Sequence, residues 1–474
     1  NRRLLVYNGG FLTQPRIRRN LTLAGYDIRL GKPGPGDLVG VWGKSPTSPR
    51  GETVAALTDT PILRVEDAFL RSIRPGRDGG GPPLGLMIDT RGLHFDPARP
   101  SDLEHILAHD TLDDAAVLAR ARDGIERLKT CDLSKYNHHD PALAVPEPGY
   151  VLVIDQTRGD ASVTASGATE GTFREMLVFA QEEHPGARIV IKTHPETLLG
   201  HRPGYYNVGY AHGRISLLSD PVSAWRLLEG AIAVYTVSSQ LGFEAILAGH
   251  RPRVFGKPFY AGWGLTEDQD PVARRTRRLT RTQLFGAAMI LAPTWYDPCR
   301  DRMCSFEDAL DHLEARVRAF REDRAGYVAT GIRLLKRAHL QKVFGAEIPL
   351  RFVSDPQRAA ARAAREGRSL LVWAGAEPAS LAAPRIVRVE DGFLRSRGLG
   401  AALVPPLSVV ADDLGIYYDP ARPSRLETLV ASPCSAWAAA RAERLIARLT
   451  RSGLTKYNLD ADAIPDLPKG YRIL

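Results

Sequence analysis

One stretch of this chain is written twice. Arg64-Val-Glu-Asp-Ala-Phe-Leu-Arg-Ser72 recurs as Arg388-Val-Glu-Asp-Gly-Phe-Leu-Arg-Ser396, identical at eight of nine positions. Asp96-Pro-Ala-Arg-Pro-Ser101 recurs unchanged as Asp419-Pro-Ala-Arg-Pro-Ser424, Lys135-Tyr136-Asn137 as Lys456-Tyr457-Asn458, and Gly149-Tyr150 as Gly470-Tyr471. The offsets of 324, 323, 321 and 321 residues keep order and spacing over more than 80 residues. So long a period excludes a solenoid and describes a duplicated module. The 474 residues hold one whole module, about 1–345, and the first half of another, 346–474.

The chain is too long for one compact domain. Hydrophobic residues make up 44% and charged residues 25%, which excludes a disordered or fibrous chain. The longest apolar runs, such as Phe285–Pro293, fall far short of the roughly 20 residues that span a bilayer. No signal-peptide pattern precedes Arg2–Tyr7, and the four Cys are scattered, so a reduced, cytoplasmic chain is expected. The formal charge of +9 suits an anionic partner. No nucleic-acid-binding motif accompanies it, so nucleic acid is not an expected partner. Cys299 and Cys304 have no second pair for zinc, and Asp268-Gln-Asp270 falls in a loop, so no metal is expected.

Residues 1–145 read as one Rossmann-like domain, with strands at Leu4–Tyr7, Leu38–Trp42, Ile62–Val65 and Leu86–Ile88 and a helix over Leu112–Thr130. Pro141–Pro148 reads as a linker. Residues 146–304 show a cleaner alternation: strands at Tyr150–Ile154, Arg188–Ile191, Ile215–Leu218, Ile232–Tyr235 and Arg253–Phe255, with helices over Gly171–Glu183, Val222–Gly230 and Ser239–Leu247. Such alternation predicts a doubly wound parallel sheet. Residues 305–345 read as a helical bridge, and 346–474 as an acceptor-type half-module. The fold class is α/β: tandem Rossmann-type domains in a glycosyltransferase-B-like arrangement, followed by a partial second copy.

Ligands bind such sheets beyond the carboxyl ends of the strands. Three polar clusters follow three predicted strands: Asp155-Gln156-Thr157-Arg-Gly-Asp160-Ala-Ser162, Lys192-Thr-His194-Pro195-Glu196, and Thr236-Val-Ser238-Ser239-Gln-Leu-Gly-Phe-Glu244. Ser238 and Ser239 stand where a helix starts, suited either to an N-cap or, with free amides, to a phosphate. Lys192 and His194 can neutralise or protonate a leaving phosphate. Asp160, in a Gly-containing loop, can serve as nucleophile or base, or simply shape a turn. Glu66 and Asp67 follow a strand in both copies. They read either as an ion network with Arg64 and Arg71, or as an acid/base toward an acceptor hydroxyl. Lys257–Gly264, with Tyr260 and Trp263, suits a loop over a base or sugar, or a packed surface loop. Arg274–Arg281 is a dense basic run, either solvated or in contact with an anionic membrane.

Taken together, these segments and Pro258–Gly264 resemble the bacterial capsule polysaccharide biosynthesis family, the retaining β-Kdo glycosyltransferases that use CMP-Kdo; Kdo is a keto-sugar acid. The likeness covers essentially the whole chain. It implies a CMP-Kdo donor and a lipid-linked, phosphatidylglycerol-type acceptor of the capsule linker. It implies Asp160 as nucleophile, Glu66 as acid/base and His194 as the partner of the departing phosphate. Gln156, Thr157, Lys192, Pro195, Glu196, Ser238, Ser239, Glu244, Tyr260 and Trp263 would bind the donor, and Asp67, Arg64 and Arg71 would stand on the acceptor side. No cofactor or metal is implied. Contact with the inner face of the bacterial inner membrane, and with other capsule assembly proteins, is. The second module has no counterpart of Asp160, His194 or Ser238 in this sequence, so one competent site is expected, in the first module. The competing readings are a non-catalytic export or assembly factor that keeps the nucleotide-sugar fold, and a transferase for another CMP- or UDP-sugar.

Overall fold

The computed structural model describes residues 1–400, 404–459 and 470, which form two compact units, Asn1–Arg318 and Ala319–Leu474. Tyr471, the end of the fourth repeat, lies outside the described residues.

The first unit contains two sheets. The first has seven strands in the order Arg302–Cys304, Thr294–Asp297, Gly85–Asp89, Ile62–Asp67, Leu38–Trp42, Arg2–Val6, Tyr26–Arg29. The four strands between Arg2 and Asp67 pair in parallel, and the other three are antiparallel. Leu4, Val6, Leu63, Val65 and Leu86 supply one apolar face, which packs on Phe11, Ile17 and Leu21. The helix Ala115–Thr130 starts at Asp114, whose carboxylate accepts from the Ala116 and Val117 amides. It ends in Arg127 and Lys129, as the helix dipole favours.

The second sheet is wholly parallel, in the order Glu267–Asp268, Arg253–Val254, Ala231–Thr236, Tyr150–Ile154, Arg188–Lys192, Ile215–Leu218. Tyr150–Ile154 is buried throughout, as a central parallel strand requires. The strand order reverses between Tyr150–Ile154 and Ala231–Thr236, so a crevice opens beyond their carboxyl ends. Gly249 closes the helix Gln240–Ala248 at φ 102°, a left-handed conformation that glycine adopts without strain.

Two boundaries differ from the sequence reading. Residues 294–304 leave the second domain and extend the first sheet, because Thr294 and Trp295 pair with Leu86 and Gly85. The bridge at 305–345 is not wholly helical. After the helix Phe306–Asp323 it contains the strand Tyr327–Thr330, which pairs with Ser369–Trp373 inside the second unit's sheet.

That sheet has five strands in the order Arg351–Phe352, Tyr327–Thr330, Ser369–Trp373, Ile386–Asp391, Val409–Asp412, the last pair antiparallel. It repeats the connectivity of the first sheet from Tyr26–Arg29 to Gly85–Asp89, so the duplication seen in sequence is a duplicated fold.

Candidate active site

Between the two sheets of the first unit lies a cavity of about 630 Å³. The second domain contributes the loop after Tyr150–Ile154, the loop after Arg188–Lys192 and the start of Gln240–Ala248. The first contributes the end of Ile62–Asp67, His94 and Lys135. Asp160, His194, Ser238, Ser239 and Glu66 therefore line one space, as do Gln156, Thr157, Lys192, Pro195, Glu196, Glu244, Tyr260 and Asp67.

Asp160 caps the short helix Ala161–Ala165. Its Oδ1 accepts from the Ser162 amide at 2.7 Å and from the Ser162 hydroxyl at 2.6 Å. These bonds, and a longer one from the Val163 amide, all use Oδ1 and leave Oδ2 outside them. The Ser162 and Ser238 hydroxyls lie 2.9 Å apart. Gln156 Oε1 accepts from the Ser238 amide at 2.9 Å, and Gln156 Nε2 donates to Ser238 Oγ at 3.1 Å. A hydrogen-bonded path therefore runs from Asp160 through two serines to Gln156.

His194 caps Pro195–Leu198, its Nδ1 accepting from the Glu196 amide at 3.1 Å. In the neutral ring this bond places the proton on Nε2. Burial, the largest influence, pushes the imidazole below its ordinary pKa, so it acts as a neutral N–H donor. Burial also lowers the Lys192 ammonium to about 8, and its Nζ donates to the Asp220 carbonyl. At the start of Gln240–Ala248 most amides are already engaged: Ser238 donates to Gln156, Ser239 to Thr236 and Leu241 to Ser239. Gln240 N–H is the one left for a ligand, so this helix start offers a narrower anion cradle than the sequence suggested.

Burial, then the neighbouring Asp67 charge, raises the Glu66 carboxyl to about 7. A carboxyl at that value can take and return a proton near neutrality. Gly43 makes room for it: a Cβ there would sit 2.2 Å from Glu66 Oε2, and its φ of +44° already favours glycine. Glu244, also raised to about 7 by burial, accepts from Ser134 Oγ at 2.6 Å and ties the two domains together.

Several expected contributors hold the scaffold instead. Arg64 donates to the Gly43 carbonyl and pairs with Glu52 at 2.8 Å. Arg71 is buried, pairing with Asp67 at 2.5 Å and donating to Ser72 and Gly81. Neither lines the cavity, because each guanidinium is spent on backbone and carboxylate partners. Trp263 is fully buried and donates to the Phe259 carbonyl, with Arg275 5.8 Å from its ring centre, so it is core and not a ligand platform. Tyr260 borders the cavity, but its hydroxyl is committed to the Ser239 carbonyl at 2.6 Å.

Three arginines of the basic run are engaged within the chain, while Arg278 and Arg281 are exposed. Arg274 and Arg275 both pair with the buried Glu104, and Arg277 donates to the Leu107, Asp110 and Thr111 carbonyls. These three arginines clamp the second domain to the first, and they are not a free basic face. Among the described residues no helix is long and apolar enough to cross a membrane, and no group of three or more His, Cys, Asp or Glu is placed to hold a metal ion.

Among the cavity residues outside the sequence-predicted set are His94 and Lys135. His94 packs edge-on against Phe69 and Phe95, and burial lowers it to about 3, so it stays neutral. Lys135 was visible as part of a repeat, but nothing in the repeat stated its chemistry.

A family described as "Capsule polysaccharide biosynthesis protein" matches residues 37–147, 140–293 and 376–458. The chain belongs to this family. The capsule polysaccharide modification protein LipA of Neisseria meningitidis serogroup B is 35% identical over 452 residues, which is 91% of this chain and 64% of LipA. This chain thus spans a little under two thirds of that relative's length. The lipopolysaccharide-processing protein LpsZ of Rhizobium meliloti is 38% identical over 246 residues, 51% of this chain and 56% of LpsZ. Among solved structures, the KpsC β-Kdo 2,4 transferase of Thermosulfurimonas dismutans superposes with a TM-score of 0.61 at 34% identity, covering 66% of this chain and 98% of that one. The KpsC β-Kdo 2,7 transferase of the same organism, at 24% identity and a TM-score of 0.51, shares the fold.

Proposed function

We propose that this chain is a retaining glycosyltransferase of capsule linker synthesis, carrying Kdo from CMP-Kdo to a lipid-linked acceptor. One observation carries the reading: Asp160, His194, the Ser238–Ser239 helix start and Glu66 line the same cavity. Similarity to a β-Kdo 2,4 transferase over 98% of that protein supports the donor and favours the same linkage.

In this mechanism Asp160 Oδ2 attacks the anomeric carbon of Kdo as the bond to the CMP phosphate breaks, and the departing oxygen keeps the electron pair. Oδ1 stays held by Ser162, which fixes the angle of attack. His194 Nε2–H and the Gln240 amide hydrogen-bond the phosphate as its charge grows, and Lys192 adds positive charge nearby. The leaving group, CMP, carries a single phosphate, a load these donors can meet. Glu66 then accepts the proton of the acceptor hydroxyl, whose oxygen displaces Asp160. Two inversions retain the anomeric configuration. A lipid-linked acceptor would bring the enzyme to the inner face of the inner membrane, alongside other capsule assembly proteins.

The test is intact-mass analysis after incubation with CMP-Kdo. An adduct of one Kdo residue is expected on the wild type, cleared by acceptor and absent from Asp160→Ala. Transfer that continues at the wild-type rate in Asp160→Ala would sink the mechanism.

A further inference from the structure

Lys135 stands on a pedestal that the fold builds twice. Its carbonyl accepts from the Arg71 and Ser72 amides, and Asn137, two residues on, donates to the Ser72 carbonyl at 3.0 Å. In the second unit the Lys456 carbonyl accepts from the Arg395 and Ser396 amides, and Asn458 donates to the Ser396 carbonyl at 3.0 Å. The side chains match too. Lys135 Nζ lies 5.7 Å from the Tyr136 ring centre, and Lys456 Nζ 5.5 Å from that of Tyr457. Two separately packed domains therefore hold a lysine in one posture against the Arg-Ser step that follows a Glu-Asp pair.

That lysine has no committed anion. Among the described residues no hydrogen bond or ion pair within 4.0 Å engages Lys135 Nζ, although it lines the cavity. The nearby carboxylates are partly engaged elsewhere, although Asp67 Oδ1 is buried without a hydrogen-bond partner. Asp67 is paired with Arg71, Glu66 Oε1 accepts from the Asp67 amide, and Glu244 is held by Ser134. Burial works against the charge on Lys135, but the fields of Tyr136, Asp67 and Glu66 more than restore it, and its pKa is raised. A charged ammonium kept in a cavity without a partner is costly unless a ligand supplies the anion.

We propose that Lys135 is the counter-ion for the carboxylate of an acidic sugar bound on the acceptor side of the cavity, beside Glu66. This rests on the transferase reading and adds the acceptor's chemical class to it. The acceptor side is indicated by the repeat. Lys135 and the Glu-Asp pair belong to the repeated domain, whereas the 155–162 and 192–196 loops belong to the domain across the cavity. The donor phosphate has its own partners in Lys192, His194 and the Gln240 amide. A carboxylate on Lys135 would hold the acceptor ring so that one hydroxyl meets Glu66.

Binding alone can decide this. The probes are the methyl glycoside of Kdo, as free acid and as its methyl ester, titrated by ligand-observed NMR into the whole chain as wild type, Lys135→Met and Lys135→Arg. The CMP-induced rise in melting temperature is measured in parallel. The wild type is expected to bind the acid at least tenfold more tightly than the ester. Lys135→Met should lose that preference and Lys135→Arg should keep most of it, with the CMP shift intact in all three. Equal binding of acid and ester by the wild type overturns the proposal, as does a preference that survives in Lys135→Met. Loss of the CMP shift in a folded Lys135→Met assigns the cation to the donor and also overturns it. A wild type that ignores CMP refutes the nucleotide-sugar reading, while the acid preference still reports on Lys135 separately.

Discussion

Removing the Glu104 carboxylate should loosen the first unit more than any other single change in the basic run. Glu104 sits on the helix Asp102–His109 with its side chain 7% exposed, and Arg275 reaches it from the other domain with 2% exposed. Arg275 Nη2 and Nε donate to the same oxygen at 2.9 and 3.2 Å, while Arg274 Nη2 donates to it from 3.1 Å. Breaking a buried pair by deleting one member costs about 3–5 kcal/mol, because the other charge is left without compensation. Arg275 retains the Pro258 and Ala261 carbonyls as acceptors, so the lower figure, about 3 kcal/mol, applies to Glu104→Ala. At about 2–4 °C per kcal/mol for a domain of this class, the melting temperature should fall by about 6–12 °C. Glu104→Gln keeps an acceptor oxygen and should fall between the wild type and Glu104→Ala. Arg281→Ala, exposed in the same run, should stay within about 0.5 kcal/mol. Differential scanning calorimetry at low and high salt is the assay, since a buried pair is screened far less than a surface one. A drop for Glu104→Ala of under about 2 °C, or a drop that high salt abolishes, would refute the view of these arginines as an internal clamp.

If Glu66 is the base, its raised pKa sets the pH dependence: the ionised form grows as pH rises toward about 7. Transfer should therefore climb through that range and level above it, and Glu66→Gln should lose the climb and about 10²–10⁴-fold in rate. Stability runs the other way. The folded state holds this proton more tightly than the unfolded chain does, so the stabilisation is complete below the ordinary 4.5 and lost as pH rises to about 7; melting curves of wild type and Glu66→Gln across that range check it. The duplication supplies a matched pair for packing: Ile125 and Ile446 occupy the same position of two sixteen-residue helices, but are 7% and 55% exposed. Ile125→Ala should cost about 2–4 kcal/mol and Ile446→Ala under about 1 kcal/mol; denaturation midpoints that fall equally would contradict the burial difference.

What could be read in advance was local or periodic. Tyr150–Ile154, Ile215–Leu218 and the helix over Gly171–Glu183 declared themselves through runs and spacings within a dozen residues, and the structure has them nearly as drawn. The meeting of three loops in one cavity was legible because a parallel sheet forces strand ends to one side. What stayed hidden depends on partners far away in the chain. Thr294–Asp297 joins the first sheet only because Leu86, over 200 residues earlier, offers an edge, and Arg275 turns inward only because Glu104 waits 171 residues before it. Trp263 looked like a platform for a base because aromatic residues and glycines are shared by binding loops and by tight packing; the Phe259 carbonyl decides for packing.

The repeat separates shape from chemistry in a way that neither copy does alone. Asp67–Arg71 and Asp391–Arg395 are the same ion pair, at 2.5 and 2.7 Å, and each arginine also donates to the serine beside it. A feature preserved in both domains, and closed by its own partners, is scaffold. Lys135 is repeated as faithfully, with Tyr136 beside its ammonium but no ion pair among the described residues. Asp160, His194 and Ser238 lie outside the repeated stretch, at the carboxyl ends of the second domain's strands. The repeated domain thus carries the Glu-Asp pair and the lysine pedestal in both copies, and in the first unit the parallel sheet of residues 150–268 faces them across the cavity.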